Sequence, residues 1–266
     1  MKLIESKVEL IEQQSGLEGM YKQIELAGRT CYKSEDKITE DSAKEFVDRM
    51  IKLGHGAMLE HGTVYLEMDV NYGSLVYLEL EQKYTRNRYS RVDFEGGVMY
   101  VTTNLRVLVE NDWLDDLQYA CEPAEFHEKR ITARFTCDRG VSHEIVRHRV
   151  FSFAQESTRY CNYSKDKFGN EITYIQPCWE MQKDEEELFL LQLEQAQNTY
   201  NALISSGWKP QQARAILPNA LKTEIVVTGF ESDWKHFLKL RTAGAVHPDM
   251  HKLAVELKEL MYGKEV

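Results

Sequence analysis

Apolar and polar positions alternate over residues 2–10, with Leu3, Val8 and Leu10 set among Lys, Glu and Ser, which predicts a strand. Residues 17–28 read as a helix. Over 41–53 the residues Ala43, Phe46, Val47, Met50 and Ile51 recur at helical spacing, and Gly54 stands where such a helix stops. Alternation returns over 62–70, with Val64, Leu66, Met68 and Val70 on one face, and further strands are expected at about 97–109 and at 130–137. Asp138, Arg139 and Gly140 make a turn, after which Ser142 caps a short helix beginning at His143. From 183 onward the pattern is mainly helical. A long helix marked by Leu188, Leu191, Tyr200, Leu203 and Ile204 ends at Gly207, a second opens at Pro210 and stops before Pro218, and a third runs from a Ser232 cap to about 243. Pro248 opens the last. The run 221–229 is β-branched, and periodicity leaves strand and buried helix both open. Strands early and helices late predict an α+β fold, a mainly antiparallel sheet flanked by long helices.

Composition narrows the function. The 266 residues carry 33 Lys+Arg against 43 Asp+Glu, a net charge of −10 that repels phosphate backbones and anionic bilayers overall. Nucleic acid and membrane are therefore excluded as partners, although a local basic pocket for one small anion is compatible with that total. The five cysteines are odd in number and form no CxxC pair, against both a disulfide framework and a zinc ribbon. The charge-interrupted start is no signal peptide and no long apolar run exists, so the compartment reads as cytoplasmic.

Several motifs fail on physical grounds. In HEIVRH the histidines His143 and His148 are five apart, about 500° of helical rotation, so they diverge where a zinc helix needs them four apart. His55, Glu60 and His61 fit no common metal spacing, and no metal is expected. Cys178 has no base beside it in the sequence, and there is no GxGxxG or phosphate loop.

The chemistry concentrates in HEIVRHRVFSFAQESTRY at 143–160. Arg147, Arg149 and Arg159 stand there with Glu144, His148, Gln155, Glu156 and Ser157, yet Ile145, Val146, Val150, Phe151 and Phe153 bury the same stretch. Polar groups held among apolar ones need partners, and arginine forks match phosphates and carboxylates in two-point contacts. Trp234, Phe237, Leu238 and Arg241 lie at i, i+3, i+4 and i+7, which puts Arg241 on an apolar helical stripe. Arg214, the lone charge in ARAILP, shares a face with Leu217. Inward arginines from three segments point to a pocket for a phosphorylated ligand.

Arg147-His148-Arg149, seven residues and then Ser157 form the RHRx7S pattern, and the chain here resembles the flavin-dependent thymidylate synthases. The likeness continues through Arg159-Tyr160, ARAILP (213–218), HFLKLR (236–241) and LEH (59–61), in the family's order. The resemblance implies conversion of dUMP to dTMP, with methylenetetrahydrofolate as one-carbon donor, FAD as hydride mediator, NADPH as reductant and no covalent protein nucleophile. It also implies a homotetramer of α/β cores with active sites between subunits. By the same resemblance dUMP contacts fall on Glu144, Arg147, Gln155, Glu156, Ser157, Arg159, Arg214 and Arg241. Flavin contacts fall on Ala57, Arg147, His148, Arg149, Gln155 and His236. Arg241 is the expected catalytic residue, favouring the ionised uracil ring.

The chain departs from the pattern at Ala154-Gln155, where many members have Asn-Glu, and at Phe230 and Ser232, where an Asn and an Arg usually contact flavin. It reads as one domain, 1–266, with an extra segment at about 70–128. Two rival readings stay open: a cysteine-dependent nucleotide methyltransferase using Cys178, and a nucleotide-binding regulator without catalysis.

Overall fold

The computed structural model describes residues 1–69, 75–163 and 171–263. In chain order it contains β1 (Lys2–Ile4), β2 (Lys7–Ile11), α1 (Gly16–Tyr32), α2 (Ser42–Lys52), α3 (Gly56–Leu59), β3 (Thr63–Asp69), α4 (Leu75–Thr85), β4 (Arg91–Glu95), β5 (Val98–Asn104) and α5 (Leu105–Glu110). There follow β6 (Arg130–Asp138), α6 (Arg139–Ile145), β7 (Ser152–Gln155), β8 (Thr173–Ile175), α7 (Lys183–Ser205), α8 (Pro210–Ala213), β9 (Lys222–Phe230), α9 (Glu231–Arg241) and α10 (Pro248–Tyr262). The α+β expectation holds: a four-stranded sheet β2-β6-β9-β7 and a three-stranded sheet β3-β5-β4 are antiparallel, and among the described residues only the β1-β8 pair is parallel.

The four-stranded sheet carries the larger core. Ala133, Phe135 and Cys137 of β6 lie beside Ile225 and Val227 of β9, and this face buries Trp234, Phe237 and Leu238 of α9 with Met250, Leu253 and Leu257 of α10. The opposite face meets α1 through Ala27, packed on Ala154 and Val226. A sheet covered on both sides explains why the run 221–229 shows no steady period, since every position from Ile225 to Phe230 is buried. Gly229 is required by close approach: a Cβ there would lie 2.1 Å from a ring carbon of Phe151. A second core joins α1, α2 and β3 to Met99 and Val101 of β5 and to Leu105 and Leu108 of α5. Part of the extra segment thus shares a core with the first helices, while its residues 70–74 lie outside the described residues, as does Val70 of the expected strand.

Several boundaries moved for identifiable reasons. The strand expected over 2–10 is two strands in different sheets. Leu3 and Val8 are an odd number of positions apart, so their alternation is out of phase across Ser6. The strand at 97–109 ends at Asn104, whose side chain accepts from Val107 N at 3.2 Å and caps α5. Asp138, not Ser142, caps α6, accepting from Val141 N at 2.6 Å, while the Ser142 hydroxyl donates back to Arg139 O. Phe230 occupies the cap position of α9 where Ser232 was expected. Gly54 and Gly207 follow α2 and α7 in left-handed conformation, as the sequence requires. Among the described residues no helix is long and apolar enough to cross a membrane.

Candidate active site

The arginine-rich segment begins where α6 runs out. Ile145 and Phe151 are buried in the main core and anchor both ends of the turn that carries Arg147, His148 and Arg149. With its ends held, the turn exposes both arginines and leaves His148 half-buried, edge-on to Phe237 at a centroid distance of 4.7 Å. Arg241 arrives from the last turn of α9, whose apolar stripe is buried as expected; its side chain is 16% exposed. Its Nη1 donates to Glu144 Oε2 at 2.6 Å, its Nη2 to the Glu144 carbonyl at 3.0 Å, and its Nε to His148 Nε2 at 2.9 Å. A guanidinium has five N–H groups, so these contacts leave two for a ligand. Burial, then the charges of Arg241 and His236, lower the His148 imidazole to about 4. The ring is therefore neutral near pH 7, with its proton on Nδ1 because Nε2 accepts from Arg241.

A second group gathers at the end of β7. The Gln155 amide donates to Ser142 Oγ at 2.9 Å and to Thr223 Oγ1 at 3.2 Å, which ties β7 to α6 and β9. Its carboxamide oxygen is left as an acceptor that cannot ionise. Ser157 N donates to Cys31 O at 3.0 Å, at the end of α1. Arg159 is exposed and stacks over Tyr160 at 5.4 Å. Arg214 Nη1 donates to Thr158 Oγ1 at 3.0 Å, so ARAILP does meet the motif segment, but Arg214 is exposed. The expectation of inward arginines from three segments holds only for Arg241: Arg147, Arg149, Arg159 and Arg214 are all exposed. The chain around it is one short helix and a 3-10 turn, of which only Ala213 is buried.

Arg241 thus contacts both Glu144 and His148, while Gln155 is tied to α6, the helix that carries Glu144, through Ser142, and Thr158 meets Arg214. His236 is exposed on α9, and Ala57 is exposed on α3, whose Met58 packs on the Ala154 cluster of β7. Among the described residues, Arg147, Arg149, Arg159 and Arg214 form no ion pair with a carboxylate. They are exposed cations on an acidic protein. Two cavities, of about 310 and about 980 Å³, lie elsewhere, and no candidate residue lines either.

The candidate metal group does not converge: Glu60 pairs with Arg106, and His61 is buried with Nδ1 2.8 Å from Thr228 Oγ1. Burial raises every cysteine thiol, Cys31 and Cys121 to about 11 and Cys161 to about 12, and for Cys178 the Asp249 carboxylate adds to it. None is an activated thiolate. Phe230 is 5% exposed, with the Arg91 guanidinium 4.2 Å above its ring, so the residue at the usual flavin-contact position is enclosed. The sequence reading gave Ser142 only as a cap and missed Thr223; with Thr158, inside the motif, these are the hydroxyls that hold Gln155 and Arg214.

These residues fall largely within a recognised family. The model for the thymidylate synthase complementing protein family matches residues 110–264, more than half of the chain, and the chain belongs to that family. A flavin-dependent thymidylate synthase of Geobacter sulfurreducens is 32% identical over 125 residues, 47% of this chain and 53% of that protein. The match therefore spans about half of that relative's length. One from Corynebacterium aurimucosum is 26% identical over 250 residues, 90% of this chain and 74% of its own. Among solved structures, the UMP/dUMP methylase PolB of Streptomyces cacaoi, bound with 5-Br dUMP, aligns over 98% of this chain and 92% of its own. The identity is 16% and the TM-score 0.47.

Proposed function

We propose that the protein is a flavin-dependent thymidylate synthase, methylating dUMP to dTMP with methylenetetrahydrofolate, FAD and NADPH. The observation that carries the reading is Arg241. A guanidinium held on a half-dry helix face by Glu144 and His148, with donors to spare, is pre-organised to stabilise charge developing on a uracil ring. Glu144, Arg147, Gln155, Ser157, Arg159 and Arg214 are assigned to dUMP on the same reading. The unpaired guanidiniums suit its phosphate, and the Gln155 amide oxygen suits a ring N–H.

The residues present also fit FAD. Arg147 and Arg149 are exposed and uncompensated beside a neutral His148, a donor set suited to the flavin's phosphates and polar ring edge. His236, Gln155 and Ala57 complete the assignment. Bound FAD supplies the hydride; the protein's part is to hold the rings, exclude water and polarise the uracil. Raised thiols favour this reading over a Cys178 nucleophile.

A homotetramer with shared sites accords with arginines that face outward on the single chain and with Leu188 and Leu191 of α7, exposed at 61% and 58%. One domain spanning 1–266 and a cytoplasmic setting, consistent with five free thiols, complete the proposal.

Purified protein reconstituted with FAD is expected to be yellow and to oxidise NADPH faster when dUMP is added. Failure to retain flavin, or an oxidation rate indifferent to dUMP, overturns the reading.

A further inference from the structure

Behind the segment that follows β7, four charged side chains alternate in sign. Glu156 is 3% exposed, and its Oε2 accepts from Lys222 Nζ at 2.9 Å. The same ammonium lies 2.6 Å from Glu224 Oε1, and the other Glu224 oxygen lies 2.7 Å from Lys33 Nζ, just past the end of α1. Tyr163 OH donates to Glu156 Oε1 at 3.4 Å. Burial alone would raise the Glu224 carboxyl, but Lys222 and Lys33 hold it at about 2. The backbone is tied at the same place, Glu156 N donating to Glu224 O at 2.8 Å and Ser157 N to Cys31 O at 3.0 Å.

Buried ion pairs add little stability over apolar residues of the same shape, because desolvation offsets the attraction. What this array does is geometric. Both Glu156 oxygens are engaged inward, and just beyond it Ser157 is half-exposed, Thr158 accepts from Arg214 and Arg159 is exposed.

We propose that Lys222 is a positioning residue for the nucleotide: its ammonium, seated between Glu156 and Glu224, holds the Ser157–Arg159 backbone where the serine hydroxyl and the guanidinium receive an anionic nucleotide. The inference rests on the assignment of those two residues to dUMP. It also removes Glu156 from the set that touches the nucleotide and makes it the anchor on which Lys222 acts.

In the FAD-reconstituted enzyme, Lys222→Met is expected to raise KM for dUMP about tenfold or more, since small misplacements of a binding group are costly. Turnover at saturating dUMP stays within about threefold, and Lys222→Arg restores KM. Glu156→Gln and the double variant Lys222→Met/Glu156→Gln are expected to share that KM, because the two side chains act as one unit. The double variant strands no charge, so it keeps the comparison if the single variant does not fold. An unchanged KM in a folded variant overturns the proposal. So does additivity of the two changes, which would mean that Glu156 meets dUMP directly. Should the wild-type protein bind dUMP without turning it over, the functional reading fails, and the same ratios read by calorimetric dUMP titration still decide the role of Lys222.

Discussion

Replacing Arg241 with alanine is expected to lower turnover of dUMP by about 10²–10³-fold, the loss seen when one pre-organised donor to a developing anion is removed, or about 2.7–4 kcal/mol. The fold should survive. Arg241 sits in the last turn of α9, where a cation suits the helix dipole but contributes little. The Glu144 side chain it leaves behind is 25% exposed and can be hydrated. Arg241→Lys is expected to rescue poorly, because one ammonium cannot reproduce donation to both Glu144 and His148. Steady-state kinetics beside a thermal melt decide the matter. Turnover within about threefold of wild type in a folded Arg241→Ala protein removes this residue from the mechanism.

Replacing Trp234 with alanine is expected to cost about 3–5 kcal/mol of folding stability, read by urea denaturation. The indole is fully buried, lies 4.4 Å from the Phe151 ring and 5.3 Å from that of Phe237, and donates from Nε1 to Ile131 O at 3.0 Å. It joins α9, which bears His236 and Arg241, to the turn after His148 and to β6. The same cavity should therefore loosen the site, and flavin affinity should fall along with stability. A loss below about 1 kcal/mol would show that this cluster does not hold α9 on the sheet.

Arg241 was legible because a helical stripe is a local pattern: Trp234, Phe237 and Leu238 announce the buried face three to seven residues before it. The RHRx7S segment was legible for a similar reason, with its charges and its anchors in one stretch. What lay beyond the sequence was pairing at a distance. Glu156 and Lys222 are 66 positions apart, so nothing local reveals that the carboxylate turns inward. Arg214 misled because Leu217 shares its face, yet a helix of one turn followed by a 3-10 turn does not define a buried side. Asp138 and Ser142 are both good caps, and only the observed backbone selects the carboxylate. The break at Ser6, by contrast, is visible in the phase of the alternation. The extra segment gave one strand without a partner, and its sharing of a core with α1 and α2 emerges only from the fold.

The most direct measurement follows the uracil ring itself. With dUMP carrying tritium on the ring carbon that receives the methyl group, the complete mixture of FAD, NADPH and methylenetetrahydrofolate should release tritium to water as dTMP appears. Omitting the flavin should abolish both. Tight binding of dUMP with no tritium released in the complete mixture, or release that persists without flavin and stops in a Cys178→Ala variant, would contradict the account.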